Sequence, residues 1–168
     1  VTSSEPTVTL RQYRSPDDST ATFAVFQAAI RQTAAEHYDR EQIEAWAGPP
    51  HPDLTSWDAR RAQATTLVAE ADGEIVGFAD LRDDGVVDML FVHPRAGGRG
   101  VARRLVEAVQ AHARDRGLTE LRTFASRSAR PAFERFGFTV VAYRPDNTAR
   151  GGVRVPNYEM RCDLAPEA

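Results

Sequence analysis

Apolar positions along the chain follow two rhythms, and the switches between them divide it into elements. Residues 8–13 alternate apolar and polar, the period of a half-buried strand. Across 16–35 the spacing changes: Phe23, Phe26, Ile30 and Ala34 recur at helical intervals and predict a helix. A second, short helix is predicted over 39–47, with Ile43 and Trp46 on one face, and the Gly- and Pro-rich stretch 48–52 ends it. A third over 54–64 turns Trp57 inward. Segments 66–71 and Glu74–Leu81 then flank Asp72-Gly73, the signature of a tight hairpin turn. Asp84-Gly85 is a second such turn and leads into Val86–Val92, which completes a three-stranded antiparallel meander.

The second half changes character. Residues 101–114 form the clearest helix, with Val101, Leu105, Ala108 and Val109 as its apolar stripe and Gly117 as its stop. A strand over 118–125 follows, and strand, crossover helix and strand imply a locally parallel pair. A short helix over 129–136 stops at Gly137, and segments 138–143 and 155–164 read as two closing antiparallel strands. The fold class is therefore α/β of the mixed α+β kind, with a mostly antiparallel sheet. No repeat or linker divides the chain. One domain is expected over 7–164, with 1–6 and 165–168 as loose termini.

Composition removes several functions. The net charge of −3 argues against a general nucleic-acid or anionic-membrane binder. All 21 basic residues are Arg, a pattern that genomic base composition explains, and the lack of Lys removes that side chain as nucleophile or Schiff-base former. The lone Cys162 permits no internal disulfide and fits a reducing compartment. No apolar run approaches the roughly 20 residues of a membrane span, and the opening VTSSEPT has no signal-peptide core. A cytoplasmic location is the expectation.

The stretch from His93 to Arg104, HPRAGGRGVARR, joins the meander to the clearest helix. Strand, glycine-rich loop and helix together make a phosphate-binding arrangement. Glycines admit close approach to the backbone, and a helix start presents unpaired N–H groups with partial positive charge. Gly97, Gly98 and Gly100 supply the bare backbone, and Arg95, Arg99, Arg103 and Arg104 add charge. The alternative is a tight strand-to-helix turn with a solvated basic face. A P-loop is excluded, because Val101 follows the last glycine and Lys is absent. A dinucleotide fingerprint is excluded by the missing G-x-G-x-x-G and by the late crossover.

With these segments in order, the sequence resembles the Gcn5-related N-acetyltransferases. VVDMLFV runs into Val92-His93-Pro94, and the loop reads Gly97-Gly98-Arg99-Gly100-Val101-Ala102. One crossover later, SRSARPAFERFGF stands where the family has Asn-x-x-Ala and Phe-Tyr-Glu-x-x-Gly-Phe. RGGVRVPNYEM further resembles an uncharacterised bacterial branch. The resemblance implies acetyl-CoA as co-substrate, held in a cleft where two parallel strands splay apart. Carried over residue by residue, it places Leu90, Phe91, Val92, Gly97, Gly98, Arg99, Gly100, Val101, Ala102, Arg103, Ser126, Phe133 and Arg135 against coenzyme A. It implies that the backbone of Leu90 and Val92 pairs with the pantetheine arm, with the Leu90 N–H at the developing oxyanion. Three positions depart from the pattern: Gly97 replaces Gln or Arg, Ser126 replaces Asn, and Phe133 replaces the Tyr that protonates the leaving thiolate.

Asp88 is the favoured base, because an acid interrupts an otherwise apolar strand and alternation puts it on the Leu90 face. A strand residue meeting a loop or solvent is the competing reading. An amine has a pKa near 10 and an ordinary Asp about 4, so direct proton transfer is uphill by about 8 kcal/mol. Drawing the neutral amine from solution at pH 7 costs only about 4 kcal/mol. Asp88 therefore either binds protons more tightly than usual or draws the ammonium in and relays its proton through water. Water, Ser128 or Tyr158 can supply the proton to the thiolate, and packing is the competing role for Tyr158. Phe133 is expected to pack on the pantetheine. Glu36, Tyr38, Trp46 and Asn157 are candidates for the acceptor pocket. His93 reads as structural, and His37, His51, His112 and Cys162 have no metal-ligand spacing, so no metal is expected. The expected partner is a small-molecule or peptide amine, with a homodimer possible. A CoA-sensing module without catalysis and a toxin-like enzyme acting on aminoacyl-tRNA are the alternatives.

Overall fold

A computed structural model describes residues 7–165. The expected loose ends, 1–6 and all of 165–168 except Ala165, lie outside the described residues. Seven strands form one sheet: β1 (Val8–Gln12), β2 (Thr65–Ala71), β3 (Glu74–Leu81), β4 (Val86–Val92), β5 (Glu120–Ala125), β6 (Thr139–Arg144) and β7 (Asn157–Asp163). Their spatial order is β1-β2-β3-β4-β5-β7-β6. Every neighbouring pair is antiparallel except β4–β5, which is parallel as the crossover requires. The mixed α/β class read from the sequence is the class observed.

Helices cover both faces. On one lie α1 (Ser19–Ala28), α2 (Arg40–Ala47) and α3 (Thr55–Gln63); on the other lie α4 (Val101–Asp115) and α5 (Arg130–Arg135). The stripe of α4 packs Leu105 and Val109 against Ala79, Leu81, Val87, Leu121 and Met160 of the sheet. Each fully buried Leu there contributes about 2 kcal/mol. Gly77 lets α4 sit close: a Cβ on it would lie 3.1 Å from Val101 and 3.2 Å from the Phe91 carbonyl. The opposite core is aromatic, with Phe26, Phe78 and Phe91 beside Val25, Ile30 and Val68.

The helix predicted over 16–35 is not one regular helix. After α1 the backbone widens into a π turn (Ala29–Thr33) and then tightens into a 3₁₀ turn (Ala34–Glu36). Ile30 and Ala34 stay buried throughout, so the apolar spacing survives a change of hydrogen-bond pattern that it does not encode. Asp39 then starts α2 with a reciprocal cap: its Oδ1 accepts the Gln42 N–H and Gln42 Oε1 accepts the Asp39 N–H, both at 2.9 Å. Gly48, at φ +69°, ends the helix.

Candidate active site

β4 and β5 are registered at only two positions, Val86–Arg122 and Val87–Thr123. The Thr123 hydroxyl closes this end by donating to the Val87 carbonyl at 2.8 Å. Beyond it β5 continues to Ala125 paired with β7 alone, and no β5 residue stands opposite residues 89–92. The His93 N–H donates to the Val76 carbonyl at 2.8 Å, just outside the Gly77–Val92 pair. By antiparallel alternation, Gly77–Val92 and Ala79–Leu90 are then the pairs without direct hydrogen bonds. The backbone groups of Leu90 and Val92 point away from β3, into the widening gap.

The strand ends in a 3₁₀ turn (Pro94–Ala96), where His93 Nδ1 accepts the Arg95 N–H at 3.2 Å. The structural role read for His93 is the one this contact describes. Ala96 is buried and anchors the turn, while residues 97–100 are exposed. Gly98 and Gly100 hold φ of +76° and +73°, and a Cβ on either would meet nothing within 4 Å. No side chain caps α4, so its first N–H groups face open space at the positive end of the helix dipole. The loop arginines divide. Arg95 pairs with Glu74 at 2.8 Å, Arg104 reaches the Val8 carbonyl, and Arg103 lies 3.9 Å from Glu107 and over the Phe136 ring. Arg99 makes no ion pair among the described residues.

On the other side of the gap is a cleft of about 510 Å³, lined by Tyr38, Trp46, Asp88, Met89, Phe91 and Asn157, with Phe26, Phe124, Ser126 and Arg150 at its walls. A second cavity of about 470 Å³ adjoins it, sharing Asp88 and Arg60 and adding Asp80 and Arg61. Simple alternation put Asp88 on the Leu90 face. The register corrects this: Leu81 pairs with Val87 and Asp80 with Met89, so Asp88 is the extra residue of a β-bulge. The bulge turns Asp88 to the Met89 side. Nor is Asp88 a buried acid; it is exposed.

The buried acid beside this cleft is Asp80, which sequence reasoning passed over inside a strand. Asp80 and Arg61 are each 1% exposed, with Oδ2 2.8 Å from Arg61 Nε. Asp80 Oδ1 accepts the Met89 N–H at 2.7 Å. Burial pushes its carboxyl up to about 6, against the opposing pull of Arg61 and with further upward push from Asp88. Arg61 lies 4.3 Å over the Trp57 ring. The signal that could have found the pair is an acid and an arginine inside otherwise core-facing segments.

Residues 34–162 match the family model described as the acetyltransferase (GNAT) domain. The uncharacterized N-acetyltransferase YafP of Escherichia coli (strain K12) is 36% identical over 154 residues, covering 92% of this chain and 95% of that protein. This chain belongs to the GNAT acetyltransferase family. The crystal structure of a GCN5-related N-acetyltransferase (Aminotransferase, Class-II) from Rhodopseudomonas palustris is 36% identical, with a TM-score of 0.86 over 96% of this chain and 97% of that one. YncA, a putative acetyltransferase from Salmonella typhimurium with its cofactor acetyl-CoA, shares the fold at 24% identity, with a TM-score of 0.69 over 96% of each chain.

Around this acetyltransferase's gap the remaining expected residues separate. Phe133 is 3% exposed and stacks edge-on against Phe138 at 5.1 Å. The inner face of this short helix packs its ring into the core. Ser126 lines the cleft, and its hydroxyl accepts the Ala129 N–H at 3.1 Å. Val101 is buried, Ala102 half-buried, and Arg135 exposed on the last turn of α5. Asn157 and Tyr158 point to opposite faces of β7. Asn157 lines the cleft with its Oδ1 buried and unpartnered among the described residues. Tyr158 packs on the α4 side, with the Arg130 guanidinium 4.6 Å over its ring. Tyr38 does line the cleft, but its hydroxyl is engaged, donating to the Pro156 carbonyl (2.7 Å) and accepting the Arg127 N–H (2.9 Å). Glu36 is exposed in the 3₁₀ turn and is not among the cleft residues. Among the described residues no helix is long and apolar enough to cross a membrane.

Proposed function

We propose that this acetyltransferase moves the acetyl group of acetyl-CoA directly onto a primary amine of a small molecule or peptide, within a ternary complex. The observation that carries the reading is continuity. The unpaired backbone of Leu90 and Val92 leads from the cleft toward the uncapped, side-chain-free start of α4. Residues Gly97 to Arg103 would hold the diphosphate, with N–H groups at the helix start and Arg99 supplying charge. The open space in front of Gly98 and Gly100 fits such a group. Leu90 and Val92, flanking Phe91, would pair with the pantetheine arm as a missing strand does.

Asp88 draws the ammonium into the cleft and accepts its proton, directly or through water. The amine nitrogen then bonds to the thioester carbon while the Leu90 N–H takes the negative charge on the oxygen. The C–S bond breaks, and the thiolate takes a proton from water or from Tyr158, which shares a sheet face with Leu90. A free thiol has a pKa near 8.5, so the leaving group tolerates the Phe at position 133. Phe26, Trp46, Met89, Phe91 and Phe124 line one part of the cleft, Asp88 is its carboxylate, and Arg60, Arg150, Asn147 and Asn157 make the rest polar. That supports an acceptor with an ammonium for Asp88, an apolar part, and further polar or anionic groups for the two arginines.

Calorimetry with acetyl-CoA and thiol release across an amine panel test the reading. Saturable binding and turnover are expected, best with primary amines that carry a polar or anionic group besides an apolar part. No binding at millimolar acetyl-CoA removes it.

A further inference from the structure

The bulge that aims Asp88 has a specific restraint. In an antiparallel ladder the extra residue leaves one neighbouring N–H without its usual strand partner. Here the Met89 N–H, the next along, is taken by a side chain, Asp80 Oδ1, at 2.7 Å. Asp80 is itself fixed from behind by Arg61 of α3, 2.8 Å away, both being 1% exposed. Neither Arg61 Nε nor Nη1 has a hydrogen-bond acceptor of good geometry among the described residues, so the anchor is an ion pair, with Asp80 as the close counter-charge. Met89 stands between the two groups that the proposed reaction uses, Asp88 and the Leu90 N–H.

We infer that Asp80, anchored by Arg61, is a positioning residue for acyl transfer: it clamps the Met89 N–H, which holds Asp88 toward the acceptor cleft and the Leu90 N–H toward the thioester oxygen. The inference rests on the transfer reading above. A carboxylate accepts such a bond more strongly than a neutral carboxyl, so the clamp tightens as Asp80 ionises. The charged groups facing Asp80 are Arg61 and Arg60 from α3, Asp88 from β4, and Arg82 and Asp83 from the turn after β3.

Removing one member of a buried ion pair strands the other charge and can unfold the chain. The test therefore uses two neutral double variants, R61M/D80N and R61M/D80L. The first keeps an acceptor oxygen for Met89; the second has the same shape without one. With equal Tm, R61M/D80L is expected to lose roughly 10- to 100-fold in kcat relative to R61M/D80N, at unchanged KM for acetyl-CoA. Equal kcat in the two overturns the inference. The second readout needs no activity: in the wild type the Met89 amide NMR signal should follow a titration near pH 6, and in R61M/D80N it should not. A Met89 signal that ignores pH, or that titrates alike in both, overturns the clamp. A wild type that releases no thiol with any amine overturns the transfer reading and this role with it, and leaves the Met89 titration standing as a structural fact.

Discussion

Gly100 and Gly117 bracket the same helix, α4, and nearly share a conformation: φ is +73° at the first and +76° at the second. A Cβ on either meets no atom within 4 Å. Alanine at either position therefore costs backbone strain alone, about 1–2 kcal/mol for an L-residue in the left-handed region. For a chain of this size that lowers Tm by roughly 2–8 °C. Gly100→Ala and Gly117→Ala should be indistinguishable by thermal unfolding without ligand. Coenzyme A separates them. At a hundredfold excess over Kd a ligand stabilises its protein by about 2.7 kcal/mol. Gly117→Ala should keep the whole of the resulting rise in Tm. The methyl group at position 100 stands in front of the N–H groups proposed to grip the diphosphate. A tenfold weaker grip removes about 1.4 kcal/mol, some 3–5 °C of the rise. Differential scanning fluorimetry with and without coenzyme A reads all four states. An equal ligand-induced rise in both variants would refute the phosphate cradle.

Three further outcomes follow from other parts of the molecule. Asp88→Asn should lower kcat/KM about 100-fold at pH 7, and the deficit should shrink toward pH 10, where solution supplies the neutral amine; a deficit constant with pH argues that Asp88 does not handle the proton. Asp80 takes up its proton more readily folded, near pH 6, than unfolded, near 4, so its ionisation opposes folding and the wild type loses stability as pH rises through that window. Measured by urea unfolding, the stability of R61M/D80N relative to wild type should therefore move in favour of the variant by about 2 kcal/mol between pH 4 and pH 7, and a flat difference contradicts the buried carboxyl. Tyr38→Phe leaves the Pro156 carbonyl and the Arg127 N–H without their partner, at a cost of about 2 kcal/mol; an unchanged Tm would show that water replaces the hydroxyl.

The sheet was legible because its turns carry their own chemistry. Asp72-Gly73 and Asp84-Gly85 mark the meander, and the stripe from Val101 to Val109 marks the crossover helix that forces β4 and β5 parallel. Where the backbone changes hydrogen-bond pattern without changing which residues are buried, as over Ala29–Thr33, the apolar spacing carries no trace of it. The family segments were legible for a related reason: bare glycines before a helix are a local signal. Phe133 was not legible, because a Phe in that position reads equally well as a ligand contact or as core. The structure adds that its ring packs edge-on against Phe138.

Asp88 shows where reading a strand by period must stop. Alternation assigns every second residue to one face, and a single inserted residue reverses the assignment for everything on one side of it. Nothing in VVDMLFV announces the insertion. It is set by the partner strand, where Asp80 and Leu81 pair with residues two apart, Met89 and Val87. Had the strand been regular, Asp88 would have pointed at the α4 face beside Leu90, against the apolar cluster that packs Leu90 and Val92. An unpaired carboxylate there would be costly. With the bulge it reaches the open cleft instead. The same insertion gives the Met89 N–H a side-chain partner in place of a strand partner. One extra residue thus accounts for the exposed acid in the cleft and for the bond by which the buried acid behind it holds Met89.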